Sequence, residues 1–257
     1  MKHNYETYID IVAEAGRAVL DFAQSCDFSV RDKGGQDPVT EADLVSNGIL
    51  TKLQNELAGS SFLSEEAPLM GSLINEFVWI VDPVDGTREF VQGIPEYAVS
   101  VALVKGQKIL FSAVYNPHES LEYQIEGERG SRCVSESTRA CSDALCVSRS
   151  EWKRGLFEDI QGENFEPVGS VAFKLSLVAQ GYYRGLISLC PKNEWDVAGG
   201  VGLVEAAGKT ACDILGRKFQ WTRNELVGGV LAGDDLWVRE VLANTNLKSR
   251  FQGELQC

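Results

Sequence analysis

Apolar residues recur at helical spacing in the first segment. Tyr8, Ile9, Val12, Ala15, Val19 and Phe22 share one face between Tyr5 and Ala23, which predicts an amphipathic helix. Residues 29–36 are polar and glycine-bearing, a loop or short strand. Thr40 then stands as an N-cap with Asp43 three residues on, a capping box with Asp in place of Glu, and predicts a helix to about Leu57. Ser61–Leu63 is a short apolar strand closed by Ser64-Glu65-Glu66, and residues 67–76 form a linking loop. Phe77–Val81 is a continuous apolar run, a buried strand that stops at Asp82-Pro83-Val84-Asp85-Gly86-Thr87. One helical turn over residues 87–92 follows. Tyr97–Val104, Ile109–Tyr115 and Leu121–Ile125 are successive antiparallel strands joined at Lys105-Gly106 and Asn116-Pro117.

A polar stretch rich in Arg, Ser and Gly, Glu126–Asp143, interrupts this pattern. It divides the chain into an N-terminal α+β part, residues 1–135, and a C-terminal α/β part, residues 136–257. In the second part Ala144–Val147 is a strand leading into Ser148-Arg149-Ser150, with a short helix over Glu151–Ile160. Ser170 caps a helix through about Gln180. A strand at Gly185–Leu189, a helix at Trp195–Ala207, strands at Thr210–Ile214 and Val227–Ala232 and a helix from Asp234 to about Asn244 complete the chain. The fold class is a layered α+β and α/β sandwich: an antiparallel N-terminal sheet with helices, then alternating helices and strands.

Composition narrows the chemistry. With 257 residues the chain can bury a sizeable core, and a net charge of −13 argues against a general nucleic-acid partner. The seven cysteines are odd in number, contain no CxxC and follow no signal peptide, so they are expected as reduced thiols in a cytoplasmic protein. No apolar run is long enough to cross a membrane. Only His3 and His118 are present, which shifts the burden of chemistry onto carboxylates.

Those carboxylates stand at element boundaries: Asp43, Glu65, Glu66, Asp82, Asp85 and Asp196. Pro83 biases Asp82 toward extended backbone, and Gly86 permits a tight turn or a close backbone approach. Such a turn can aim two carboxylates and an intervening carbonyl at one point, an arrangement suited to a hard divalent cation such as magnesium. Alone, it would be a DG turn with two solvated acids. Crowded carboxylates from separate segments change the balance, because they need cations to compensate them. Two glycine patterns are decoys. Gly208-Lys209-Thr210 has Leu203 where a phosphate-binding P-loop needs its first glycine, and Gly200-Val201-Gly202 has Glu205 where a dinucleotide fingerprint needs its third.

The motifs PVTEAD (38–43), FLSEEA (62–67), WIVDPVDGTREF (79–90) and EWDVAGGVGLVEAAG (194–208) resemble, in this order, those of the lithium-sensitive, magnesium-dependent phosphomonoesterases of the inositol monophosphatase superfamily. The resemblance implies the αβαβα sugar-phosphatase fold and two to three Mg²⁺ ions. Glu65, Asp82 and the Val84 carbonyl would hold one, and Asp82, Asp85 and Asp196 a second. A third would lean on Glu65. Gly86 and Thr87 would contact the substrate phosphate through backbone N–H groups. Thr87 and Asp43 would form the dyad that orients or deprotonates water, with Glu66 nearby. The partner is a small phosphate monoester; relatives include monomers and homodimers. Arg88-Glu89-Phe90, Ser148-Arg149-Ser150 and the pair Ser170 and Lys174 resemble the bisphosphate nucleotidase branch. There Ser170, Lys174 and the start of their helix would receive a second phosphate. The expected reaction is loss of the 3′-phosphate from adenosine 3′,5′-bisphosphate, with inositol or sugar phosphates as the alternative.

Overall fold

The computed structural model describes residues 4–25, 30–32, 38–71, 76–125, 132–133, 140–158, 160, 162–222 and 228–243. The chain runs α1 (Tyr5–Ser25), β1 (Val30–Asp32), β2 (Pro38–Thr40), α2 (Glu41–Leu50), α3 (Lys52–Glu56), β3 (Ser61–Ser64), β4 (Ala67–Met70), β5 (Phe77–Asp85), α4 (Thr87–Val91), β6 (Ala98–Lys105), β7 (Lys108–Asn116), β8 (Ser120–Ile125) and β9 (Arg132–Cys133). It continues with β10 (Ser142–Ser148), α5 (Arg149–Lys153), β11 (Phe165–Val168), α6 (Val171–Gln180), β12 (Tyr183–Ser188), α7 (Glu194–Ala206), β13 (Thr210–Cys212), β14 (Val230–Gly233) and α8 (Asp235–Ala243). No described helix is long and apolar enough to cross a membrane.

Seven strands form one sheet in the order β4-β3-β5-β6-β7-β8-β9, and five form a second in the order β11-β10-β12-β14-β13. Both are mixed. In the first, β3 runs parallel to β5 and the other pairs are antiparallel, which corrects the expectation of a purely antiparallel sheet. In the second, β10 is parallel to β11 and β12, while β14 is antiparallel to β12 and β13.

Alternation along the strands builds three cores. Trp79 and Val81 of β5 face α1, α2 and α3, where Tyr8, Val12, Leu50 and Leu53 cover them. The Tyr8 ring meets Trp79 edge-on at 4.9 Å. Val78 and Ile80 face the other way, into a core shared with α6, α7 and residues Ala144, Leu186 and Val230 of the second sheet. On the far side of that sheet, Leu145, Ile187 and Leu231 meet Trp237, Val238 and Val241 of α8. The result is the predicted five-layer α-β-α-β-α sandwich. The glycines of α7 make its close packing possible: a Cβ on Gly200 would lie 2.4 Å from Leu175 Cβ, and one on Gly202 would lie 2.4 Å from Ser112 Oγ.

Four local expectations change. Residues 67–70 are an edge strand, β4, rather than loop. β11 (Phe165–Val168) forms in a stretch with no predicted element, its Pro167 tolerated because β11 is an edge strand. The helix expected over 151–160 starts at Arg149 and ends at Lys153. Cys190 is disulfide-bonded, so the expectation of reduced thiols fails there, while Cys141, Cys146 and Cys212 are thiols. The boundary at 135/136 and the cysteines at 26 and 257 lie outside the described residues.

Candidate active site

β5 does not stop at Val81. It runs through Asp85 with a register slip against β6 between Asp82 and Asp85. Gly86 then takes φ +93°, and a Cβ there would come within 3.0 Å of the Glu96 carbonyl oxygen and 3.2 Å of Ser170 Cβ, so the sharp exit into α4 requires glycine. The exit opens onto a cleft of about 690 Å³. Glu65 from the end of β3, Asp82, Val84 and Asp85 from β5, Gly86, Thr87, Ser170 and Lys174 from α6, and Asp196 from α7 all line it. Asp43 lies just behind, reached through Thr87, and is 1% exposed. Glu66, expected beside the dyad, is not among the lining residues.

The three aspartates of the cleft share one design. Asp82 Oδ1 accepts the Val84 N–H at 3.0 Å. Asp85 Oδ2 accepts the Ser170 hydroxyl at 2.5 Å and the Ala172 N–H at 2.6 Å. Asp196 Oδ2 accepts the Asn193 N–H at 2.8 Å, reaching back across the first turn of α7 as a capping-box acid does. The other oxygen of each makes no hydrogen bond to a described residue. Each side chain is therefore fixed through one oxygen and presents the other.

The electrostatics are unfavourable without a cation. Burial raises the proton affinity of Asp82 well above that of an ordinary carboxylate, and the charges of Glu65, Asp85, Asp196 and Asp43 raise it further. Asp196 is raised well above the ordinary range by burial and by Asp85. Asp85 is raised by burial, against the pull of its bonds to Ser170 and Ala172 and of the Lys174 charge. These mutual effects place the acids within reach of one another. No group of three His, Cys, Asp or Glu among the described residues stands at metal-holding geometry already. The donor set, carboxylate and carbonyl oxygens with one oriented oxygen each, fits Mg²⁺ by its chemistry.

Thr87 Oγ1 lies 3.1 Å from Asp43 Oδ1 and 2.9 Å from the Val84 carbonyl. Asp43 Oδ2 accepts both the N–H (2.8 Å) and the hydroxyl (2.6 Å) of Thr40. Burial raises the proton affinity of Asp43, partly offset by the bonds from Thr40 and Thr87.

Ser170 and Lys174 are brought to the cleft, but not as a free phosphate subsite. Ser170 Oγ donates a hydrogen bond to Asp85 and caps α6 by accepting the Phe173 N–H at 3.0 Å. Asp85 takes the next N–H, so a protein carboxylate already fills the start of the helix. Burial lowers the proton affinity of Lys174, and its Nζ donates to three backbone carbonyls.

Sequence reasoning gave no role to a second ionic group under this cleft. Arg149 pairs with Glu96, whose Oε2 also accepts the Gly169 N–H at 2.7 Å, and its Nε lies 3.7 Å from Glu89. Burial raises Glu89 against the charge of Lys174. Buried Glu151 accepts from Ser188 Oγ, the N–H groups of Leu189 and Cys190, and Lys192 Nζ, and so pins the loop before Asp196. Glu151 carried a signal: an acid in the first turn after a buried strand. Glu96, in a loop, carried none.

The sequence profile described as "Inositol monophosphatase family" matches residues 1–250. The chain is 29% identical over 251 residues to an inositol-1-monophosphatase of Mesorhizobium japonicum, covering 91% of this chain and 92% of that one. It is 30% identical over 227 residues to the 3′(2′),5′-bisphosphate nucleotidase CysQ of Shigella flexneri, covering 84% and 92%. The solved structure of an IMPase from Thermotoga maritima superposes with a TM-score of 0.80 at 21% identity, covering 97% and 98%.

Proposed function

Since the chain belongs to the inositol monophosphatase family, we propose that it is a magnesium-dependent phosphomonoesterase that removes the 3′-phosphate of adenosine 3′,5′-bisphosphate, giving AMP and phosphate. The observation that carries the metal chemistry is the set of three aspartates lining the cleft, each tied through one oxygen and open at the other. Glu65, Asp82, the Val84 carbonyl, Asp85 and Asp196 would hold the ions. Magnesium, when bound, supplies Lewis acidity and neutralises phosphate charge. Thr87 donates to Asp43 and can accept a hydrogen bond from the attacking water, so a proton leaving that water has a path to Asp43 Oδ1. The raised proton affinity of Asp43 suits that acceptor role. Gly86 and Thr87 start α4 beside this point, where their N–H groups would meet phosphate oxygens.

Support for a second phosphate comes from the rest of the cleft, whose lining runs past the acids to Arg88, Arg149, Arg154 and Lys192. One observation favours the alternative, an inositol or sugar monophosphate: Lys174 and the start of α6, expected to hold a 5′-phosphate, are engaged by the protein itself. The two named relatives match almost equally and do not separate these substrates. The test is phosphate release after chelation and readdition of Mg²⁺, from adenosine 3′,5′-bisphosphate, inositol 1-phosphate and fructose 1,6-bisphosphate. A preference for inositol 1-phosphate would overturn the nucleotidase reading. Release undiminished by chelation would overturn the metal mechanism.

A further inference from the structure

α6 is apolar on every side, and all residues from Val171 to Ala179 are buried. Lys174 sits in its middle, 2% exposed. Its Nζ donates to the carbonyls of Val168 (3.0 Å), Gly169 (3.3 Å) and Ser170 (2.9 Å). An ammonium has three protons, and three carbonyls take them. A solvated surface lysine does not look like this.

Those three carbonyls belong to the turn from β11 into α6. Ser170 within it holds φ 48° and ψ 123°, backbone that residues with a Cβ rarely adopt. Drawing three successive carbonyls to one buried charge holds the turn in that shape. On its other side the turn aims the Ser170 hydroxyl and the Ala172 N–H at a single oxygen, Asp85 Oδ2.

We propose that Lys174 is a positioning residue: its ammonium gathers the carbonyls of residues 168–170, and so fixes the Ser170 turn that clamps Asp85 with one oxygen toward the cleft. It acts through Ser170 and Asp85 and touches no substrate. The inference rests on the metal reading only where Asp85 meets a cation; the Lys174–turn linkage stands by itself.

The experiment compares wild type, Lys174→Met, Lys174→Arg and Ser170→Ala. Amide hydrogen exchange over residues 169–175 is measured on protein stripped of metal. Magnesium affinity is measured by calorimetry, and kcat/KM on adenosine 3′,5′-bisphosphate and adenosine 3′-monophosphate. Lys174→Met should speed exchange at Ala172 and Phe173 by roughly tenfold, the scale of one charged hydrogen bond. It should weaken Mg²⁺ binding and lower kcat/KM by one common factor on both substrates. Ser170→Ala should weaken Mg²⁺ binding in the same way with the lysine intact. Lys174→Arg keeps the charge but not the convergence of three donors, and covers the case in which Lys174→Met fails to fold. It should show the same pattern in milder form. Loss confined to the bisphosphate makes Lys174 a substrate cation and overturns the proposal, as does unchanged exchange in both lysine variants. Should wild type bind no Mg²⁺, the proposed function falls, while the exchange comparison still decides this inference.

Discussion

Replacing Thr87 with alanine removes one hydroxyl, 3.1 Å from Asp43 Oδ1 and 2.9 Å from the Val84 carbonyl, and leaves the carboxylates of the cleft in place. A hydroxyl has one proton, so one hydrogen bond at a time is lost, and stability should fall by only about 1 kcal/mol. For a chain of this size that is a drop in Tm of about 2–4 °C. Turnover should fall much further. Loss of positioned proton transfer costs about 10²–10⁴ in rate, or about 2.7–5.5 kcal/mol of barrier. Asp43→Asn keeps the volume but loses the proton acceptor, and should reduce turnover similarly. Its stability loss should be about 0.5–2 kcal/mol, because Asp43 also receives both Thr40 donors. If the two act as one unit, the double variant should be within about threefold of the worse single one, since such effects are far from additive. The assay is phosphate release at saturating Mg²⁺, with calorimetry to check that Mg²⁺ affinity is unchanged. Near-wild-type turnover in Thr87→Ala, or losses that multiply in the double variant, would refute the dyad.

Asp82→Asn should abolish turnover and weaken Mg²⁺ binding while raising the Tm of metal-free protein, since a desolvated charge is removed; near-native turnover at saturating Mg²⁺ would contradict the ligand assignment. Asp43, Asp82, Asp85 and Asp196 all bind protons more tightly when folded than the ordinary carboxylate value of 3.8 allows. Their contribution to stability is full below about pH 3.8 and is lost as pH rises through their raised folded values. Metal-free protein should therefore lose Tm from about pH 4 toward neutrality, and saturating Mg²⁺ should flatten that loss; a metal-free Tm that rises steadily over the same window would count against it. Gly200→Ala should cost about 1–3 kcal/mol by overpacking, since its Cβ would meet Leu175 Cβ at 2.4 Å. An unchanged melting curve would mean that α6 and α7 can part without cost.

Legibility tracked how local the cause was. Thr40 and Asp43 announced the start of α2 because a cap is settled within four residues, and the acids were visible because they end elements. β4 was missed because only its pairing with β3 makes it a strand. β11 was missed for the same reason, since it exists through its parallel register with β10. Ser170 and Lys174 were offered to a second phosphate, whereas the structure buries Lys174 and turns its Nζ onto three backbone carbonyls. The sequence VAFKLSLVA is apolar around its whole circumference, the mark of a helix buried on all sides. That pattern alone was reason to bury the lysine. The clasp of Arg149, Glu96 and Gly169 joins positions 96, 149 and 169, and no spacing rule reaches that far.

The half-tethered aspartates have an evolutionary consequence. Proteins in general keep only a modest margin of stability, and a site built for activity can oppose it. Here the opposition is local and one-sided: neutralising Asp82 or Asp196 relieves repulsion that the folded chain otherwise bears. A lineage released from the need for turnover would drift toward asparagine at these positions and become sturdier as it became inert.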